Sequence, residues 1–199
     1  MAKRLTFEAS VETEFRWPQP GDDPFGLPAD VKRHVVFADD ERIRLAMMTD
    51  GYFKSADALV ILALKDTVDA KTMVYPILFI YRHALELELK QIISIPGPRV
   101  GIDPMWNTHD LNQLWIQFCE ILARFGTTDP DDADQSTAGV VAQFGKIDAK
   151  SFSHRYPFDT KGRPVPLVYS RIDLETLQCV MRGAFSYFAG TDAYLSSLA

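Results

Sequence analysis

The chain has little of what usually announces a function. Two cysteines in 199 residues, Cys119 and Cys179, are too few for a disulfide framework. Both fall on expected helices close to apolar faces, as reduced structural thiols would in a reducing compartment. The longest apolar runs, Ala58–Leu64 and Met73–Tyr81, fall far short of the ~20 residues that span a bilayer. No membrane partner is therefore expected. The opening Met-Ala-Lys-Arg-Leu-Thr lacks the apolar core of a secretory signal, which points to a cytoplasmic protein. Positive charge is also short: 21 Lys and Arg face 27 Asp and Glu, for a net charge of −6. A chain of that balance is no long-range attractor for nucleic acid. Zinc-ligand spacing, a phosphate-binding glycine loop and a dinucleotide fingerprint are all missing. The acidic cluster Asp129, Asp131, Asp132 and Asp134 lacks the glycine and terminal glutamate of a calcium loop, and reads as a solvated loop with helix-capping aspartates. Neither a metal nor another cofactor is expected.

What is present reads as one domain of about five helices, residues 39–199, behind an extended arm at residues 1–38. Prolines and glycines between Pro18 and Gly26 rule out long regular structure in the arm. Within it, Leu5, Phe7, Ala9 and Val11 alternate as in a short strand. Phe7, Phe15, Trp17 and Phe25 give the arm aromatics to pack on its own domain or on a second subunit. A first helix is expected from Asp39 or Asp40 to about Asp66, with a break near Gly51. A second, from about Ala70 to Ile95, carries Pro76 as a candidate kink and stops at Ile95-Pro96-Gly97-Pro98. A third opens at Asn107-Thr108 as N-caps and closes at Gly126. A fourth spans Ala133–Ala149, and a last one is capped by Asp173. The fold class is an all-α bundle, with a Pro-rich crossover before the final helix.

The second helix holds the sharpest signal. Its apolar residues cover the whole circumference, so it should be central and buried. Yet Arg82, Glu86 and Lys90 recur at i, i+4 and i+8 and form one polar stripe. Buried charges must be paired. The stripe is thus either an internal ion network or the floor of a site, with Arg82 and Lys90 facing a phosphate or carboxylate and Glu86 orienting Arg82. His83 faces elsewhere and reads as structural. His109 is placed at the first turn of the third helix, where the dipole favours the neutral, proton-accepting ring. The alternative is that it simply packs or caps.

Arg82-x-x-x-Glu86-x-x-x-Lys90, followed by His109-Asp110-Leu111 at the start of the next helix, resembles the HEPN-like helical bundles over about residues 40–190. The resemblance implies an all-α fold, frequent dimerisation, and association with RNA or nucleotides in defence or toxin–antitoxin systems. Ribonuclease members carry an arginine followed four to six residues later by a histidine. No such pair exists here: Arg33-His34 and Arg82-His83 are adjacent, Arg99 is too far from His109, and His154-Arg155 is reversed. The nuclease role does not transfer with the resemblance.

One basic zone lies within the acidic chain. Lys146, Lys150, Arg155, Lys161, Arg163 and Arg171 outnumber Asp148 and Asp159, with Phe152, Tyr156, Phe158 and Tyr169 interleaved. Such a mixture can stack bases while neutralising phosphates; a solvated crossover anchored by its aromatics would use the same residues. The candidate ligand-binding set is Arg82, Glu86, Lys90, Tyr156 and Lys161, and the candidate catalytic residues are His109, His154 and Arg155. Three functions fit: a HEPN-like protein binding a nucleotide or RNA phosphate, a non-catalytic homodimeric interaction module, or a divergent hydrolase or nuclease using His109 or His154 as base.

Overall fold

The computed structural model describes residues 17–27, 30–127, 131–148 and 155–198. The chain divides into two units, Met1–Phe37 and Ala38–Ala199. In the first, Trp17 and Phe25 are exposed, and a single 3-10 turn, Val31–Arg33, is capped by the Asp30 side chain. The alternating stretch from Leu5 to Val11, with Phe7 and Phe15, lies outside the described residues.

The second unit is all-α. Its helices are α1 (Glu41–Ala63), α2 (Thr67–Ser94), α3 (Leu111–Arg124), α4 (Asp132–Ile147) and α5 (Leu174–Ser197), and no strand occurs among the described residues. Local chemistry sets the boundaries. Asp40, Asp66, Asp110, Asp131 and Asp173 each accept backbone N–H bonds at a helix start, satisfying donors that have no partner inside the helix. α3 ends at Gly126, whose φ of +92° is the left-handed conformation a glycine adopts without strain. There Gly126 N donates to Ala123 O and Thr127 N to Leu122 O, closing a Schellman motif.

α1 and α2 are joined by a short turn and pack side by side, and α2 also contacts α3 and α5. α2 supplies Ile77, Tyr81, Leu85, Leu89, Ile92 and Ile93 to the core, all essentially inaccessible. Facing them are Val60 from α1, Leu114 and Phe118 from α3, Phe144 from α4, and Met181 and Phe188 from α5. Each such side chain contributes about 1.5–3 kcal/mol when removed from water. α2 is thus the buried central helix expected from its composition.

Several details differ from expectation. α1 runs through Gly51 and α2 through Pro76 without a break. The proline removes the donor to the Thr72 carbonyl, but both residues are exposed, so water can take its place. α3 starts later than Asn107-Thr108: Asp110 is the cap, which puts His109 outside the helix. Both cysteines are exposed rather than packed in the core, because the inward face of each helix is filled by larger apolar neighbours such as Phe118 and Met181.

Candidate functional site

Glu86, midway along α2, is 2% exposed and sits between Arg82 at 1% and Lys90 at 5%. One helical turn brings each cation onto it: Arg82 Nη1 donates to Glu86 Oε2 at 3.0 Å, and Lys90 Nζ to Oε1 at 2.9 Å. The remaining donors reach across the fold. Arg82 Nε bonds the Asp148 carbonyl at 2.8 Å and Nη2 the His109 carbonyl at 2.6 Å, while Lys90 Nζ reaches the Trp106 carbonyl at 3.1 Å. All three guanidinium nitrogens are therefore engaged. A buried charge is tolerable only when paired and hydrogen-bonded in this way.

The loop carrying Trp106 and His109 is returned to α2 by a tight reversal. Gly97 starts a 3-10 turn, Gly97–Val100, and Ile102 N donates back to Gly97 O at 2.8 Å. A Cβ on Gly97 would lie 2.5 Å from the Ile102 carbonyl oxygen, so only glycine fits there without a shift.

His109 closes the network from outside. Its Nδ1 lies 2.9 Å from Glu86 Oε1, yet its side chain is 63% exposed. Burial pushes the Glu86 carboxyl up, but the hydrogen bonds from Lys90, His109 and Arg82 and the charge of Lys90 outweigh it and hold it below the ordinary glutamate range. An ionised carboxylate only accepts hydrogen bonds. Nδ1 must therefore be the donor, and Nε2 is left toward solvent. The carboxylate orients the ring as a second partner orients a catalytic or metal-bound histidine.

Contrary to the expectation that it faces elsewhere, His83 lies beside this network, and Glu86, Arg82, Lys90 and His109 all act on it. Phe79 and His83, four residues apart, stack at 6.0 Å, and His83 meets Tyr52 of α1 edge-on at 4.6 Å. The Arg155 guanidinium lies 5.5 Å from the Phe79 ring centre and 5.8 Å from that of Tyr156, within cation–π range. His83 titrates below the ordinary histidine range, chiefly through burial, with Arg82, Lys90 and His109 adding to the effect and Glu86 opposing it. It is an uncharged packing element of this face.

The candidates from sequence thus separate by depth. Arg82, Glu86 and Lys90 form the buried base, and their reach to an outside ligand is closed by their own partners. His109 is exposed against it, and Arg155 and Tyr156 are exposed beside Phe79, further toward the N-terminus of α2. Lys161 sits elsewhere, in a turn closed by Asp159, which accepts from Lys161 N, Arg163 N and Arg163 Nε. His154 lies outside the described residues. Sequence reasoning missed Phe79, Trp106 and Asp148. The Phe79–His83 spacing is a readable helical pair, whereas the Trp106 and Asp148 contacts are made by backbone carbonyls and leave no mark in side-chain identity.

Among the described residues no group of histidines, cysteines and carboxylates could hold a metal ion, and no helix is long and apolar enough to cross a membrane. Comparison with family models, curated proteins and solved structures finds no match for this chain.

Proposed function

We propose that this bundle is a HEPN-like protein that binds the phosphate of a nucleotide or RNA on the face formed by His109, Arg155 and Tyr156. The observation that carries the reading is the pairing of His109 Nδ1 with the buried Glu86 while most of the imidazole stays exposed. A ring held by a carboxylate is pre-oriented, so little freedom is lost when Nε2 meets a ligand. Arg155 supports the same reading. Its planar guanidinium, resting near Phe79 and Tyr156, suits phosphate recognition, and the exposed Tyr156 ring offers a surface for a base. Arg82, Glu86 and Lys90 act from beneath as positioning residues.

The test is a low-salt titration of labelled single-stranded RNA. Affinity should fall with salt at a slope of roughly −0.7 per phosphate contact. Arg155→Ala should lower both affinity and slope, His109→Ala should lower affinity, and Tyr156→Ala should weaken binding with little change in slope. Absence of binding, or binding indifferent to His109 and Arg155, would contradict the reading.

The free Nε2 favours one second reading, a hydrolase. A histidine whose other nitrogen is fixed by a carboxylate is the arrangement used for general acid–base transfer. Cleavage of the RNA by the wild type, lost in His109→Ala while binding persists, would select it.

A further inference from the structure

A separate cleft lies at the N-terminal half of α2. Ala70, Lys71, Val74, Tyr75 and Leu78 form one wall, with the crossover Leu167–Ile172 opposite and Ile147 and Leu174 completing the lining. The α2 residues fall at i, i+1, i+4, i+5 and i+8, a single helix face. The cleft encloses about 280 Å³, close to the lower end of ligand-pocket sizes.

Its chemistry is one-sided. Two cations line it, Lys71 and Arg171, and no carboxylate does, in a chain whose net charge is −6. Neither cation makes a hydrogen bond or ion pair with any described residue. Around them Tyr75, Leu167, Val168 and Tyr169 are each more than 40% exposed. Paired surface cations are commonplace, but two unpaired ones above an apolar floor are complementary to a ligand with one anionic end. A second cavity of about 250 Å³ shares Leu78, Ile147, Tyr169, Arg171 and Ile172 and adds Asp173, whose carboxylate caps α5.

We infer that this cleft binds a small organic anion, an aryl carboxylate or a compound of the same outline, with its charge on Lys71 and Arg171 and its apolar body against Val74, Leu78 and Ile147. The inference does not depend on the phosphate reading, which concerns the later part of α2 and His109. An anion bonded by two cations gains charge-assisted hydrogen bonds. An apolar ring of suitable size covers surface that is otherwise exposed.

The probe is 2-naphthoate, titrated into the full chain by calorimetry, with 2-naphthalenemethanol as the neutral analogue and inorganic phosphate as the headgroup alone. Naphthoate should bind, and the double variant Lys71→Ala/Arg171→Ala should weaken it by about tenfold or more. Both positions are exposed, so the variant should keep the wild-type circular dichroism. The neutral analogue should bind about tenfold more weakly than naphthoate, phosphate alone should bind more weakly still, and Arg155→Ala should change nothing. No naphthoate binding at millimolar concentration, equal binding by the double variant, or equal binding of the neutral analogue would overturn the inference. So would loss of naphthoate binding in Arg155→Ala, which would place the probe on the His109 face.

Discussion

Two pairs in this molecule share the same i, i+4 spacing and differ in everything else. Arg82–Glu86 on α2 is sealed, at 3.0 Å, and Arg163–Asp159 in the crossover turn is closer, at 2.6 Å, with the arginine 71% exposed. Distance alone would rank the outer pair first. Burial reverses the order. Water screens the outer pair and competes for its donors, whereas among the described residues the inner charges are met by each other, His109 and backbone carbonyls. The inner network is therefore costly to disturb, and it is the one on which a surface group is mounted.

The largest effect should come from breaking the inner pair. Glu86→Ala leaves Arg82 and Lys90 buried without their carboxylate and should cost about 3–5 kcal/mol, a fall of roughly 6–20 °C in Tm. Chemical denaturation measures it, and an unchanged midpoint would erase the contrast with the crossover. The linkage has a definite sign. The Glu86 carboxyl is held below its ordinary range, so its stabilisation is present above the unfolded value, about pH 4.3. It is lost as pH falls through the depressed folded value.

An intermediate case lies on the opposite side of α2. Asp57 of α1 accepts from Tyr81 Oη at 2.5 Å and Arg182 Nε at 2.6 Å, and its backbone carbonyl accepts from Gln178 Nε2 at 3.1 Å. Burial, followed by the hydrogen bond and charge of Asp57, raises the Tyr81 phenol far above its ordinary value. Asp57→Ala strips the side-chain partners of a buried tyrosine and a half-exposed arginine, and should cost about 1–3 kcal/mol. A loss equal to that of Glu86→Ala would show that burial does not set the scale.

Glu88 shows the cost of burial from the other direction. Burial and the nearby Asp192 push its carboxyl up to about 7. Below about pH 4.3 the group is neutral in both folded and unfolded chains. Between there and the folded value the unfolded chain ionises while the folded one stays protonated, so the penalty grows with pH and is complete above about 7. Glu88→Gln should raise stability by about 1 kcal/mol at pH 8, after discounting for partial exposure, and leave it unchanged at pH 4. A Tm gain independent of pH would point to packing instead. Smallest of all, Arg163→Ala should leave Tm within experimental error.

How much of this was readable beforehand follows the same division. The central helix was legible because a segment apolar on every side has few other places to go. The Arg82–Glu86–Lys90 pairing followed from helical spacing and the cost of isolated charge. The cap at Asp173 followed from side-chain chemistry and the start of α1 was placed at Asp39 or Asp40, but Asp110 outcompeted Asn107 and Thr108 for α3, because one residue at a time can cap and the returning loop sets which. The placement of His109 against Glu86 was not legible, since it depends on the reversal at Gly97 and on long-range bonds to carbonyls. The cleft at Lys71 and Arg171 was invisible for the same reason: a hundred residues separate its cations in the chain, and only the crossover brings them together.

The buried Glu86 fixes the ring of an exposed histidine, and the imidazole nitrogens report it directly. Long-range ¹H–¹⁵N correlation spectra of the wild type above the titration range of histidine should show His109 as the Nδ1–H tautomer with Nε2 unprotonated. A predominant Nε2–H tautomer, or a ring averaging between the two, would contradict the account.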